Sequence, residues 1–314
     1  MPERANVHVD VALSTLAIEY KNLPFVAPKI FPVIPVPKEK DKYWTFLDRP
    51  ELKDDLDVLR ADGAEASEFD YEPASATFSC EEYAKKMLLT DRKMALQDKA
   101  VSLEIRTVGK LLTIIGLAYE KRIQKIVQDR TYVTRGATPT IKWDGSSPTI
   151  EANVDTAKQS IEDNAGVQGN AIVMNTLVRD VIKKDSVIRN LIRYTVQTDG
   201  GKNLLVDGNL PPVIWGLEVI IAGAQEDTAE QGQTSVFSRI WNDNVLVFYK
   251  EERPSLDALS LGYTMRVKQR GPLTTLVSKW RVEKRKGTMI EVSQLQDEKL
   301  TAEKAGYIIT DTLT

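Results

Sequence analysis

Five prolines, Pro24, Pro28, Pro32, Pro35 and Pro37, fall within fourteen residues near the start of the chain. Each fixes its own φ, removes a backbone donor and pushes its predecessor toward extended geometry. Neither a helix nor a central strand is expected there. Yet the residues between the prolines are apolar: Phe25, Val26, Ile30, Phe31, Val33, Ile34 and Val36. Disordered linkers are polar, and an extended segment cannot bury such side chains against itself. Residues 1–42 therefore form an arm that must lie on another surface, in its own subunit or in a neighbour's.

Beyond the arm the chain alternates between strands and helices. Tyr43-Trp-Thr-Phe-Leu47 reads as a strand, and residues 69–90 as a long return strand. Between them, residues 51–72 hold nine carboxylates against Lys53 and Arg60, a local balance of −7. A lone two-stranded hairpin is marginal in water, so one with a charged tip calls for outside support. Val101, Ile105, Val108, Leu112, Ile115, Tyr119, Ile123 and Ile126 recur at spacings of three and four, the stripe of one continuous helix over 91–130. At about 1.5 Å per residue it would span roughly 55 Å. Gly109 and Gly116 lie within it, each costing about 1 kcal/mol relative to alanine, so packing must hold the helix and the glycines would admit a close neighbour. Lys110, Glu120, Lys121, Gln124, Lys125 and Gln128 fall on its polar side.

Further along, Ser147-Pro148 opens a helix that closes near Gly166. Ala171–Met174 is a short buried strand, with Asn175 or Thr176 capping the next helix and Asp185 or Ser186 the one after. Val213 to Ile221 reads as a single strand. Val245–Tyr249 and Tyr263–Val267 are strands, residues 276–282 and 289–292 make a hairpin, and Gly306–Ile309 is the last strand. The fold class is α+β.

Little in the chain points to catalysis. One histidine, His8, and one cysteine, Cys80, leave Ser-His-Asp chemistry and His-rich metal sites short of parts. No phosphate-cradling G-x-x-x-x-G-K-[ST] occurs, nor G-x-G-x-x-G, H-E-x-x-H, C-x-x-C or G-x-S-x-G. Pairs such as Asp54 and Asp57 lie in the acidic stretch, where burial would not raise a pKa, and Glu226, Asp227 and Glu230 fit no Ca²⁺ loop spacing. No catalytic residue, cofactor or metal ligand is assigned. The formal charge is −3, from 42 basic and 45 acidic residues, without the basic excess of a dedicated duplex binder. Basic clusters at Lys121-Arg122-Lys125, Lys183-Lys184, Arg189-Arg193 and Lys279–Lys286 read as solvated faces or partners for another subunit. Met1–Asp10 carries no secretory pattern, and the longest nearly apolar run, Leu111–Tyr119, is too short for a bilayer.

The order of these pieces resembles the major capsid protein of tailed bacteriophages, with the Hong Kong 97-like fold. Local phrases add to the likeness. Ala171-Ile-Val-Met-Asn175 before a helix is similar to the family's strand–helix entry. Ile214-Trp-Gly-Leu-Glu-Val-Ile220 resembles its W/Y-G-x-P-V strand, with Glu218 where proline is common. Phe248-Tyr-Lys-Glu-Glu-Arg253 resembles its late strand.

The resemblance implies an N-terminal arm at 1–42 and an extended two-stranded loop at 43–89. It further implies a peripheral domain with its spine helix at 90–134 and 241–314, and an axial domain at 135–240. It implies a structural protein, not an enzyme: many copies assembling as hexamers and pentamers into an icosahedral shell. Further implied partners are a portal and double-stranded DNA contacted non-specifically, with no membrane. An arm that begins almost at Met1 implies a separate scaffolding protein. The expected location is the virion capsid, assembled in the host cytoplasm. The related encapsulin nanocompartment and a tail or neck protein are the alternatives. Expected contacts between subunits are Phe25, Ile30, Phe31 and Ile34 of the arm, with Asp54, Asp55 and Asp57 facing Lys121, Arg122 and Lys125 of a neighbour.

Overall fold

The computed structural model describes residues 8–9, 25–46, 59–60, 62–63, 65–66, 68, 74–96, 100–195, 210–230, 232–269, 271 and 273–314. Asp54, Asp55 and Asp57 lie outside the described residues. Strand β1 (His8–Val9) is followed by a single helical turn, α1 (Ala27–Ile30), and by β2 (Val33–Val36). The turn forms despite the prolines because Pro28 occupies its first positions, where the missing N–H has no helical acceptor. β3 (Lys40–Trp44) pairs antiparallel with β4 (Ser75–Ser79), from Lys40 opposite Ser79 to Trp44 opposite Ser75. The return strand expected over 69–90 changes sheet at Cys80: β4 stays in this ribbon, and β5 (Glu81–Thr90) enters a larger sheet.

The long helix is two helices, α2 (Asp91–Ala95) and α3 (Ala100–Gln128). Only Met94, Ala95 and Leu96 are apolar across 91–99, so no periodic face ties that stretch to the stripe. The 29 residues of α3 span about 44 Å. Its buried face runs Val108, Leu111, Ile115, Tyr119, Ile123 and Val127, while Ile105 is exposed.

β6 (Gly136–Ala137) leads to α4 (Ile150–Ala165), which ends on Gly166 in the left-handed conformation. β7 (Ala171–Asn175) runs into α5 (Thr176–Lys184), where the Asn175 side chain accepts from the Val178 N–H at 2.8 Å. Asp185 caps α6 (Ser186–Thr195) through the N–H groups of Val187 and Ile188. The strand expected over 213–221 is a hairpin, β8 (Val213–Ile214) and β9 (Leu217–Ala222). Trp215 and Gly216 between them have φ of 54° and 77°, the geometry of a two-residue turn matched to strand twist. The remaining strands are β10 (Gln225–Asp227), β11 (Phe237–Arg239), β12 (Val245–Phe248), β13 (Gly262–Val267), β14 (Thr275–Val282), β15 (Gly287–Leu300) and β16 (Gly306–Ile309).

Two six-stranded sheets result. The first is built on β15, with β5 along one side and β14 and β13 along the other; β1 extends β14, and β2 lies parallel to β13. The second runs β6-β16-β12-β7-β9-β8. Here β12 and β16, expected in the spine helix's domain at 241–314, belong to the sheet of the 135–240 region. The reason is burial: all five residues of β7 are enclosed, and such a strand needs partners on both edges, supplied by β9 and β12. Helix α3 joins the two layers. Val108, Leu111 and Ile115 pack with Leu89, Val277, Ile290 and Val292 of the first sheet. Tyr119, Ile123 and Val127 share a core with Val173, Ile220, Leu246 and Phe248 of the second.

Candidate functional site

The arm is seated on its own body from Phe25 onward. α1 sits with its N-terminal amides toward α3, where Glu120 is fully buried. The Glu120 carboxylate accepts from the N–H of Val26 (3.0 and 3.1 Å), the N–H of Ala27 (2.8 Å) and the indole N–H of Trp241 (2.6 Å). Burial pushes its pKa above the ordinary carboxylate value, and the amides of Ala27, the Trp241 indole and Val26 pull against that rise. One side chain thus ties the arm, the spine helix and the segment leading into β12 together. Two glycines complete the seat. The Phe25 ring occupies the place a side chain on Gly116 would take, 2.6 Å from the ideal Cβ position, and the Phe31 ring does the same at Gly262, at 2.5 Å. The close neighbour admitted by Gly116 is this ring.

These placements revise the expected contacts. Ile30 and Phe31 are wholly enclosed in the chain's own core and Ile34 is 8% exposed, so these three are withdrawn as contacts between subunits. Their partners are intramolecular: Ile30 and Phe31 join the core around Tyr119 and Ile123, and Ile34 packs with Tyr43, Phe78, Tyr263 and Met265. Phe25 is half-buried on Gly116.

Of the three cations on α3, Arg122 is also committed internally. Its guanidinium forks onto Glu298 (2.7 to 3.2 Å) and lies 3.7 Å from the centre of the Tyr83 ring. Lys121 pairs with Glu226 of β10, and Lys125 is exposed. Beside them Tyr119 shares a 2.6 Å hydrogen bond with Thr264, and the Arg266 Nε–H donates to Gln296 at 2.9 Å. Burial raises the Tyr119 pKa and lowers that of Arg266.

The β3–β4 ribbon is supported at its base by Tyr43 and Phe78, buried against the first sheet, and by the Ser79 N–H donating to Asp297 at 2.8 Å. Beyond the base, every described residue between 59 and 68 is exposed, Leu59 at 92%. The surface also presents Phe237 (70%) and Val236 (58%) on the β10–β11 hairpin, and Ile105 and Ile114 on α3.

For chemistry the site offers little. Cys80 is buried and its thiol is pushed up to about 12, chiefly by desolvation, so it remains protonated. Among the described residues no group of His, Cys, Asp or Glu is placed to hold a metal ion, and no helix is long and apolar enough to cross a membrane. An open cleft of about 550 Å³ between α1 and the second sheet contains the Lys250–Glu218 ion pair and three prolines, Pro28, Pro32 and Pro254. Sequence reasoning missed Glu120 by assigning it to the polar face. A signal was present: Glu120 falls four residues after Gly116 and three before Ile123, on the shoulder of the apolar stripe.

The sequence matches no protein-family model, and no curated protein matches it. The fold is shared with solved structures over nearly its whole length. A crystal structure of a phage-related protein from Bordetella bronchiseptica RB50 aligns with a TM-score of 0.74 at 22% identity, covering 98% of this chain and 99% of that one. A structure from Microbacterium phage Oxtober96 aligns with a TM-score of 0.58 at 10% identity, covering 93% and 92%. The capsid structure of cyanophage P-SCSP1u aligns with a TM-score of 0.57 at 9% identity, covering 89% and 86%. The chain has the Hong Kong 97-like capsid fold, a mixed helix and sheet architecture with arm, extended ribbon and spine helix.

Proposed function

We propose that the chain is the major capsid subunit of a tailed bacteriophage, assembling through many copies of itself into an icosahedral shell around the phage genome. The observation that carries this reading is the likeness of fold, over about nine tenths of the chain, to structures from phages, one of them a cyanophage capsid. The acidic continuation of the ribbon adds to it: its described residues, 59–60, 62–63, 65–66 and 68, are all exposed, as in an element meant to brace a neighbour. Permanent assembly contacts run to thousands of Å², and a ribbon reaching across a boundary adds such area. Asp54, Asp55 and Asp57 are proposed contacts of this kind, with Lys125 and the exposed edge of Phe25 as surfaces still open to a neighbour. Hexamers and pentamers, a separate scaffolding protein, a portal, non-specific contact with packaged duplex DNA, and assembly in the host cytoplasm belong to the same proposal.

The test is electron microscopy of the expressed, purified protein with its nucleic-acid content measured. Closed shells of uniform diameter are expected. Tubes or open rings would indicate a tail or neck component, and shells filled with a packaged enzyme would indicate an encapsulin-type compartment.

A further inference from the structure

One side of α3 is covered by the arm over the second half of its length. Residues 25–31 run along it toward the C-terminal end of the helix. The Phe25 ring lies over Gly116, the Val26 and Ala27 amides donate to Glu120, and Ile30 and Phe31 join the core around Tyr119 and Ile123. At 3.6 residues per turn, Ile105, Gly109 and Leu112 point within about 40° of Gly116, so they continue the same side as a seam toward the N-terminal end. There Ile105 is 41% exposed, Leu112 is half-buried and Gly109 presents no side chain. A second anchor of the chain lies at that end. His8 of β1 stands opposite Lys279 of β14, and the Lys279 ammonium donates to Glu104 of α3 at 2.6 Å.

We infer that residues 10–24, which lie outside the described residues, pack as a helix along the N-terminal half of this seam on their own copy. The segment joins two fixed points, Val9 on β14 and Phe25 on Gly116. From Glu104 to Gly116 the helix rises about 18 Å. Residues 10–24 span about 22 Å as a helix and up to about 50 Å when extended. A helix therefore closes the gap with little slack, whereas an extended chain would have to loop away. The sequence supplies the matching pattern. No proline falls between Pro2 and Pro24. Asp10 stands where a helix takes its N-cap, and Asn22 and Pro24 stand where one stops. Leu13, Leu16, Ala17 and Tyr20 recur at the spacing of one helical face. Counting back from Phe25 on Gly116, Leu13 comes level with Ile105, Ala17 with Gly109 and Tyr20 with Leu112, to about one residue. The smallest residue of that face thus meets the glycine, where a second backbone can approach closely. This packing is independent of the capsid reading, and it gives the segment's apolar face to its own subunit rather than to a neighbour.

Hydrogen exchange on the dilute intact subunit is the first test. Amides of residues 13–20 are expected to exchange at least about tenfold more slowly than those of a synthetic peptide of residues 10–24. Ile105→Asp should abolish that protection. Ile114→Asp should leave it unchanged, because Ile114, 46% exposed, points to the opposite side of α3 from Ile105. No protection in the native subunit, or protection that survives Ile105→Asp, overturns the inference. The second test oxidises two double variants of the dilute subunit, Leu13→Cys/Ile105→Cys and Leu13→Cys/Ile114→Cys, and maps the bridges by mass spectrometry. The first is expected to close a disulfide within one chain and the second to remain reduced. Cys80, buried and protonated, should take no part. Covalent dimers in place of the intrachain bridge would put the segment on a neighbouring copy and overturn the assignment to its own. No bridge in the first variant, or equal bridging in the second, overturns it as well. Both readouts are taken without assembly, so absence of shells would count against the capsid reading alone.

Discussion

Replacing Glu120 with alanine removes the acceptor of three buried donors at once, the N–H groups of Val26 and Ala27 and the Trp241 indole. An unsatisfied buried donor costs about 1–3 kcal/mol, which sets a gross loss of about 3–9 kcal/mol. Two effects offset part of it: the carboxyl group no longer has to be desolvated, and water that enters the vacated space would satisfy part of the donors. With those offsets the lower half of the range applies, and about 4 kcal/mol is the expected net loss. At about 2 °C per kcal/mol for a chain of this length, Tm of the unassembled subunit should drop by roughly 8 °C. Hydrogen exchange should rise at Val26 and Ala27 before it rises in β15.

The pH dependence has a definite sign. Because the folded-state pKa of Glu120 lies above its ordinary value, the native state holds the proton more tightly than the unfolded chain does. That contribution is full below the unfolded pKa, about 4.5, and is lost as pH rises through the folded one. Stability of the native chain relative to Glu120→Gln should therefore shrink as pH rises from mildly acidic values. A Tm within 2 °C of native for Glu120→Ala, with unchanged exchange at Val26 and Ala27, would refute the claim that this carboxylate seats the arm.

Two further substitutions test the packing around it. Gly116→Ala gains about 1 kcal/mol of helix propensity but drives a methyl into the Phe25 ring, so it should be neutral or destabilising alone and stabilising by about 1 kcal/mol in a Phe25→Ala background. Additive behaviour in that double-mutant cycle, read by urea denaturation, would mean the ring and the glycine do not touch in solution. Arg122→Lys keeps the charge but loses the fork onto Glu298 and the stacking on Tyr83. It should destabilise the isolated subunit by about 2 kcal/mol, whereas Lys125→Glu should leave Tm unchanged. Impaired assembly by Arg122→Lys at an unchanged Tm would return Arg122 to the contacts between subunits.

Legibility in the sequence followed the range of the interaction. α4 with its Gly166 cap, the Asn175 cap of α5, the β14–β15 hairpin and β16 were all readable, because each is decided by residues a few positions apart. The arm's extended, proline-punctuated character was readable too. Its destination was not: the seat is formed by Glu120, Gly116 and Gly262, each far along the chain from the arm residue it meets, and periodicity carries no information about such pairs. The turn at Trp215-Gly216 escaped for a related reason: apolar content continues through it, and only backbone geometry shows the chain reversing.

The amino-acid pattern alone determined that this is an α+β chain with a proline-punctuated apolar arm, a charged ribbon and one dominant helix, and that it carries a single histidine and a single cysteine. Tertiary structure decided which sheet β12 and β16 join, that residues 25–36 pack on the chain's own body, and that Asp91 meets Arg281 and Lys286 at one corner. Local propensity and periodicity act over a few residues, whereas burial and charge balance are properties of surfaces that exist only once distant segments have met.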